Sequence, residues 1–263
     1  MNILFVGDVV GKVGRRLLKE QLRRAQVEAR ADFTIVNIEN ASGGFGLTGA
    51  VWDEISRLPI DVFTSGNHIW DKKETGALLD AEPRLLRPAN YPAGNPGRGA
   101  CVVKSRGGVP VAVLNLQGLT FMVPIESPFV VADRLLGELA GQARVVIVDM
   151  HAEATSEKQA IAWHLDGRAS AVLGTHTHVP TADERILPNG TATLTDVGMT
   201  GPFGGIIGFK PGPVLERFLL GTPRPFEPAT SGGTLSGAVI DVDEATGRAR
   251  SIRRLRIEED RSA

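Results

Sequence analysis

The sequence predicts an α/β fold in which two mixed β-sheets pack together with helices on the outside. Three observations predict it. Short β-rich apolar runs alternate with segments of helical periodicity, the pattern of strand-to-helix units and a covered, largely parallel sheet. Three further pairs of apolar runs flank tight turns, as hairpins do. Finally, 263 residues with 42% hydrophobic and 22% charged side chains suffice to bury a sizeable core, and one domain over residues 1–263 is the expectation.

Taken in order, residues 3–6 form a β-rich run ending at Gly7 and Asp8, and from about Gly11 the positions Leu18, Leu22, Ala25 and Ala29 recur at helical spacing. The unit repeats with a strand at 33–38 and a helix from about Thr48, a strand at 61–64 and a helix from about Asp71, and a strand at 145–150 and a helix from about Thr155. Residues 169–173 read as one more strand. The hairpins are 100–103 with 109–114 about Arg106-Gly107-Gly108, 184–187 with 191–194 about Pro188-Asn189-Gly190, and 234–242 with 248–257. The stretch 222–233, rich in Pro, Gly and Thr, reads as an exposed loop.

A net charge of -1 excludes indiscriminate attraction of nucleic acid, so any polyanion must be recognised locally. With Cys101 as the sole cysteine, no intramolecular disulfide forms and no thiol cluster exists for a structural zinc knuckle. The N-terminal apolar run is too short for a signal-peptide core or a membrane span, and a cytoplasmic protein is expected, with a homo-oligomer left open.

The chemistry sits where open α/β sheets place it, at the carboxyl ends of strands. Asp8 follows the first strand, Glu39-Asn40 the second and Asn67-His68 the third, while His151 and His176-Thr177-His178 follow two later ones. Four of the five histidines fall in these loops. Singly, each residue has a bland reading: Asp8 as a helix cap, Glu39-Asn40 and Asn67 as turn chemistry, His68 as a solvated loop residue. Jointly, that reading needs five coincidences at one sheet edge. Carboxylate, amide oxygen and imidazole together suit Mn, Fe or Zn, and seven candidates exceed the ligands of a single catalytic ion. The expectation is one ion on Asp8, Asn40 and His178, a second on Asn67, His151 and His176, and Glu39 bridging. Such a pair generates hydroxide and clamps an in-line phosphoryl displacement. His68, beside a ligand but outside the set, is placed to protonate the departing alkoxide, a task for imidazole near neutrality.

Gly66-Asn67-His68 and Gly174-Thr175-His176-Thr177-His178 resemble the Gly-Asn-His and Gly-His-x-His signatures of calcineurin-like metallophosphoesterases. Asp8-Val9-Val10 stands where that superfamily has Asp-x-His, and Asn37-Ile38-Glu39-Asn40 where it has Gly-Asp-x-x-Asp. With Asp149-Met150-His151-Ala152-Glu153 and Asp196-Val197-Gly198-Met199-Thr200-Gly201, this combination is similar to the bacterial YmdB-like subfamily of 2′,3′-cyclic-nucleotide 2′-phosphodiesterases, over essentially the whole chain. The resemblance implies a four-layer α/β/β/α sandwich, two iron or manganese ions, and hydrolysis of a cyclic nucleotide or another small phosphodiester. It further implies that Asn40 supplies the contact of the histidine missing at Val10, and that His68 is the proton donor. Ile69 stands where the superfamily has an acid that orients this histidine, so the resemblance supplies His68 with no partner.

Three weaker features carry alternatives. Gly44-Phe45-Gly46-Leu47-Thr48-Gly49 has the spacing of a dinucleotide fingerprint, but Glu39-Asn40-Ala41-Ser42 lengthens the turn and a rim loop over the site is the better use. Arg248, Arg250, Arg254 and Arg256 alternate along the last strand, yet Glu258, Glu259 and Asp260 follow without an aromatic platform, so a solvated face is read rather than an RNA stripe. Trp52, Trp70 and Trp163 read as core or interface anchors. The competing function, from a different class, is a regulatory or RNA-binding protein on a phosphoesterase fold whose metal site is a sensor or remnant, prompted by Val10.

Overall fold

The computed structural model describes residues 1–259, and Asp260 lies outside them. Strands β1 (Asn2–Val6) and β2 (Asp8–Val9) lead into α1 (Gly11–Ala29), β3 (Phe33–Asn37) into α2 (Gly49–Ile55), and β4 (Val62–Thr64) into a 3-10 turn (Asn67–Asp71) and α3 (Thr75–Ala81). The hairpin β5 (Ala100–Lys104) and β6 (Pro110–Gln117) precedes α4 (Pro128–Glu138), β7 (Val145–His151), α5 (Thr155–His164) and β8 (Ala171–Thr175). Then follow β9 (Arg185–Ile186), β10 (Ala192–Leu194), β11 (Met199–Pro202), α6 (Pro211–Leu220), β12 (Gly233–Val242) and β13 (Ala249–Glu258).

Among the described residues these strands make two sheets. One runs β2-β11-β12-β1-β3-β4 with β13 beside β12, the other β5-β6-β7-β8-β10-β9. In each, the strands that carry the site are parallel neighbours: β1, β3 and β4 in the first, β7 and β8 in the second. Parallel pairing is what brings their carboxyl ends to one edge.

The period-two alternation of the strands builds the layers. Ile3 and Phe5 of β1 and Ile35 of β3 face Val113, Ile147 and Leu173 across the space between the sheets. Leu4 and Val6, pointing the other way, pack with Leu18, Leu22 and Ala25 of α1 and with Trp52 and Ile55 of α2. On the far side Leu114 and Val148 meet Val131 of α4 and Ile161 of α5. The result is the α/β/β/α sandwich. Phe5, Phe33 and Phe63 are fully buried, and each such side chain contributes on the order of 1.5–3 kcal/mol through the area it removes from water.

The three expected hairpins form as antiparallel pairs. Most boundaries shift by a residue or so, β6 runs on to Gln117, and two other shifts bear on the site. The strand expected from Ala169 begins as β8 at Ala171, where its pairing with Ile147 of β7 starts. The helix expected from Asp71 starts at Thr75, because the tight turn over Asn67–Asp71 ends in the extended Lys72, φ -119° and ψ 129°. Trp52 is a core residue and Trp70 packs on Tyr91 at 5.1 Å, whereas Trp163 is 54% exposed and anchors no core. The arginines of β13 face solvent in ion pairs, Arg250 with Asp241 and Asp243 and Arg254 with Glu184. No helix among the described residues is long and apolar enough to cross a membrane.

Candidate metal centre

The strand ends bring all seven predicted ligands together, and Glu39 is the residue they share. Ligand atoms of Glu39, His151 and His176 lie within 4.8 Å of one another, and so do those of Asp8, Glu39 and His178. Asn67 Oδ1 is 3.1 Å from His151 Nε2, beside the first group. Asn40 Nδ2 is 3.1 Å from His178 Nε2 and donates to Glu39 Oε1 at 2.8 Å, beside the second. Asp8, Glu39 and His151 are fully buried.

Backbone constraint holds these side chains in place. A Cβ on Gly66 would overlap His151 Nε2 and Glu39 Oε2, so only glycine lets the loop after β4 pass behind the cluster. His176 and His178 sit at φ 98° and 67°, a region costly for a residue with a Cβ, by about 1–3 kcal/mol each. Between them Thr177 Oγ1 bonds Asp196 Oδ2 at 2.8 Å, and the His176 N–H donates to Asp8 Oδ2 at 2.8 Å. Asp196 is itself fixed by the buried Lys158 at 2.7 Å.

Each of the three imidazoles has its outer nitrogen occupied by an acceptor and its inner nitrogen turned to the cluster. His178 Nδ1–H donates to the Ile207 carbonyl at 2.8 Å. His151 Nδ1 meets Thr175 Oγ1 at 2.9 Å, and that hydroxyl donates to Asp149 Oδ1 at 2.7 Å. His176 Nε2 lies 3.2 Å from Glu153 Oε2, leaving Nδ1 3.0 Å from His151 Nε2. An outward N–H on carboxylate, hydroxyl or carbonyl is how a protein presents a neutral imidazole to a metal.

Electrostatics point the same way. Burial pushes the Asp8 carboxyl well above the usual carboxylate range, with Glu39, Asp196 and Asp149 adding to the rise against the pull of His151. Burial raises Asp149 too. Glu39 is buried as deeply, yet the adjacent His151 holds it below the ordinary range. Burial opposes charge on His151, but Glu39, Asp8 and Asp149 lift its pKa to about 9, while burial and that neighbouring charge push His176 down to about 3. A pocket whose buried acids call on a histidine for positive charge is one that cations stabilise. Asp8 Oδ1 and Asn40 Oδ1 are moreover buried with no hydrogen-bond partner among the described residues. A half-turn of the Asn40 amide offers that oxygen where its nitrogen now points. Orphaned oxygens, imidazole nitrogens and buried carboxylates are a donor set that fits transition-metal ions.

His68 lines a cavity of about 620 Å³ above the cluster, together with Glu39, Asn40, His176 and His178. Its backbone N–H reaches Glu39 Oε2 at 3.3 Å, and its Nδ1 is 2.8 Å from Asp71 Oδ2. Asp71 is the partner that Ile69 does not supply. The signal is geometric, since residues three apart eclipse in a 3-10 turn. Gly44 and Phe45 of the glycine loop line the same cavity, the expected rim use, with Phe45 edge-on to His68 at 5.0 Å. His164 stays apart on α5, bonded to Asp133 at 3.0 Å.

The model of the YmdB-like protein family matches residues 4–255. The chain belongs to the YmdB-like family. Among its YmdB-like relatives, the 2′,3′-cyclic-nucleotide 2′-phosphodiesterase of Bacillus subtilis (strain 168) is 50% identical over 260 residues, 99% of this chain and 98% of the relative. Two solved structures share the fold. A hypothetical protein from Thermus thermophilus superposes with a TM-score of 0.92 at 43% identity, covering 98% of this chain and 100% of that one. A phosphatase from Mycoplasma pneumoniae also gives 0.92, at 35% identity, covering 99% and 94%.

Proposed function

We propose that this YmdB-like protein folds as one domain and is a metal-dependent phosphodiesterase whose substrates are 2′,3′-cyclic nucleotides. The observation that carries the reading is the pair of ligand groups joined at Glu39 on the floor of a cavity whose wall holds His68. The identity to a named 2′,3′-cyclic-nucleotide 2′-phosphodiesterase supports the substrate class. Asp8, Asn40 and His178 would hold one ion, Asn67, His151 and His176 the other, and Glu39 both. Iron or manganese suits this mixed nitrogen and oxygen set, with zinc as the next choice. Bound ions supply Lewis-acid activation of water and neutralise charge on the phosphoryl oxygens.

The chain's own residues do the rest. Thr175, Glu153 and the Ile207 carbonyl orient the three imidazoles, and the rigid turns at Gly66 and His176–His178 hold the oxygen donors in register. As water adds to phosphorus and the P–O2′ bond breaks, the departing 2′-oxygen takes a proton from His68, whose Nδ1 is occupied by Asp71 so that Nε2 is left for substrate. The product is a nucleoside 3′-monophosphate.

Purified protein supplied with Mn(II) or Fe(II) is expected to open adenosine 2′,3′-cyclic phosphate to the 3′-phosphate and to cleave a generic aryl phosphodiester. Failure on both substrates would refute the reading, and formation of the 2′-phosphate would refute the assigned leaving oxygen.

A further inference from the structure

The cavity above the cluster extends well past the groups that the proposed hydrolysis uses. From His68 it runs along an aromatic wall. Phe45 lies edge-on to His68 and stacks on Phe209 with centroids 5.3 Å apart and an interplanar angle of 19°, and Phe226 follows at 5.3 Å from Phe209. At its outer end stand two guanidinium groups, Arg217 of α6 and Arg224 of the following loop.

The two arginines differ in what occupies them. Arg224 is paired with Glu216 at 2.9 Å, and nearby Lys210 with Glu227 at 2.6 Å. Arg217 has no carboxylate within ion-pair distance among the described residues; its guanidinium lies over the Phe226 ring, 5.2 Å from the centroid. A ring face holds a guanidinium in place without neutralising it or taking its N–H donors. A preorganised, unneutralised fork at the mouth of a phosphoester site is an anion receptor; a planar fork matches carboxylate and phosphate alike, and phosphate is the one that a nucleotide carries. The wall between it and His68 is apolar and aromatic, the surface on which a nucleoside rests by stacking, whichever base it carries.

We infer that Arg217 forms a second phosphate subsite, so that the cavity selects nucleotides that carry, beyond the scissile group and across the nucleoside, one more phosphate. That phosphate has two sources, the 5′-phosphate of a mononucleotide or the internucleotide phosphodiester of a strand that ends in the cyclic group. The subsite rests on the phosphodiesterase reading for its context, yet it concerns binding and is testable without turnover.

The test is calorimetric titration of the manganese-supplied protein with adenosine 3′-monophosphate, with adenosine 3′,5′-bisphosphate, and with the dinucleotide adenylyl-(3′,5′)-adenosine 3′-phosphate. At least one of the two ligands with a second phosphate is expected to bind about tenfold more tightly than the monophosphate, through charge-assisted hydrogen bonds to a solvent-accessible guanidinium. Which of the two gains identifies the source. Arg217→Gln is expected to erase the gain, and Arg217→Lys to keep part of it. Equal affinities for all three ligands overturn the inference, as does a gain that survives in Arg217→Gln. Failure of the phosphodiesterase reading shows separately, as absence of turnover on cyclic nucleotides.

Discussion

Replacing Asp71 by Asn tests the least expected contact of the site. The 2.8 Å bond from Asp71 Oδ2 to His68 Nδ1 loses its charge while the side chain keeps its shape. Asp71 is 44% exposed and His68 30%, so the pair contributes only about 0.2–1 kcal/mol to folding after solvent screening, a shift of at most about 2–4 °C in Tm. In the transition state more is at stake, because a carboxylate both fixes the ring and stabilises the charge it shares with the substrate. A hydrogen bond to a charged group is worth roughly 1.5–3 kcal/mol, and solvent access brings that toward the lower end, about tenfold in rate. The expected outcome is a kcat near one tenth of the parent on adenosine 2′,3′-cyclic phosphate, with KM and metal content unchanged. Bis-p-nitrophenyl phosphate, whose leaving group needs no proton, is expected to change less than about twofold, since general-acid assistance matters only where a basic oxygen departs. An equal loss on both substrates, or a loss of metal, would refute the reasoning and make Asp71 a structural residue.

Five other substitutions are informative. His68→Ala is expected to keep its metal and lose turnover on the cyclic nucleotide, whereas His176→Ala loses metal, as elemental analysis will read; the reverse pattern would exchange the roles assigned to them. Gly66→Ala places a methyl against His151 and Glu39 and is expected to cost about 1–3 kcal/mol and part of the metal, measured by urea unfolding beside metal content. Phe5→Ala empties a fully buried site between the sheets and is expected to cost about 3–5 kcal/mol. Burial pushes the Cys101 thiol up to about 12, so the folded chain keeps a proton that the unfolded chain releases near pH 9, and the thiol's contribution to stability is lost as pH rises from 9 toward 12. Cys101→Ala is expected to remove that part of the alkaline slope, and native Cys101 to resist alkylation at pH 8 until urea is added; rapid native alkylation would contradict this.

The legible part of the molecule is the part written in local pattern. Alternation along β1, β3, β4, β7 and β8 places their ends, and the polar residues at or just beyond them, Asp8, Glu39, Asn40, Asn67, His151, His176 and His178, meet because parallel strands share a direction. The third-dimension contacts are less legible. Thr175 and Asp149 orient His151, but a threonine and an aspartate in buried strands have no period of their own that announces a hydrogen bond. Asp71 depends on a 3-10 turn where helical spacing suggests a later helix. The Ile207 carbonyl belongs to a loop that reaches His178 from 29 residues away. α4 and α6, helices absent from the sequence reading, open on Pro128 and Pro211, first-turn residues in the structure. β11 is a strand only by virtue of its neighbours, pairing Met199 with Asp8 and Gly201 with Thr234. The outer cavity is hidden for the same reason, since Phe45, Phe209, Arg217 and Phe226 come from separate loops and a helix.

The most direct measurement is anomalous diffraction from crystals grown with manganese, collected on both sides of the metal edge. Two peaks are predicted, one against Asp8, Asn40 and His178 and the other against Asn67, His151 and His176, with Glu39 touching both. A single peak, or strong peaks away from these residues, would contradict the account.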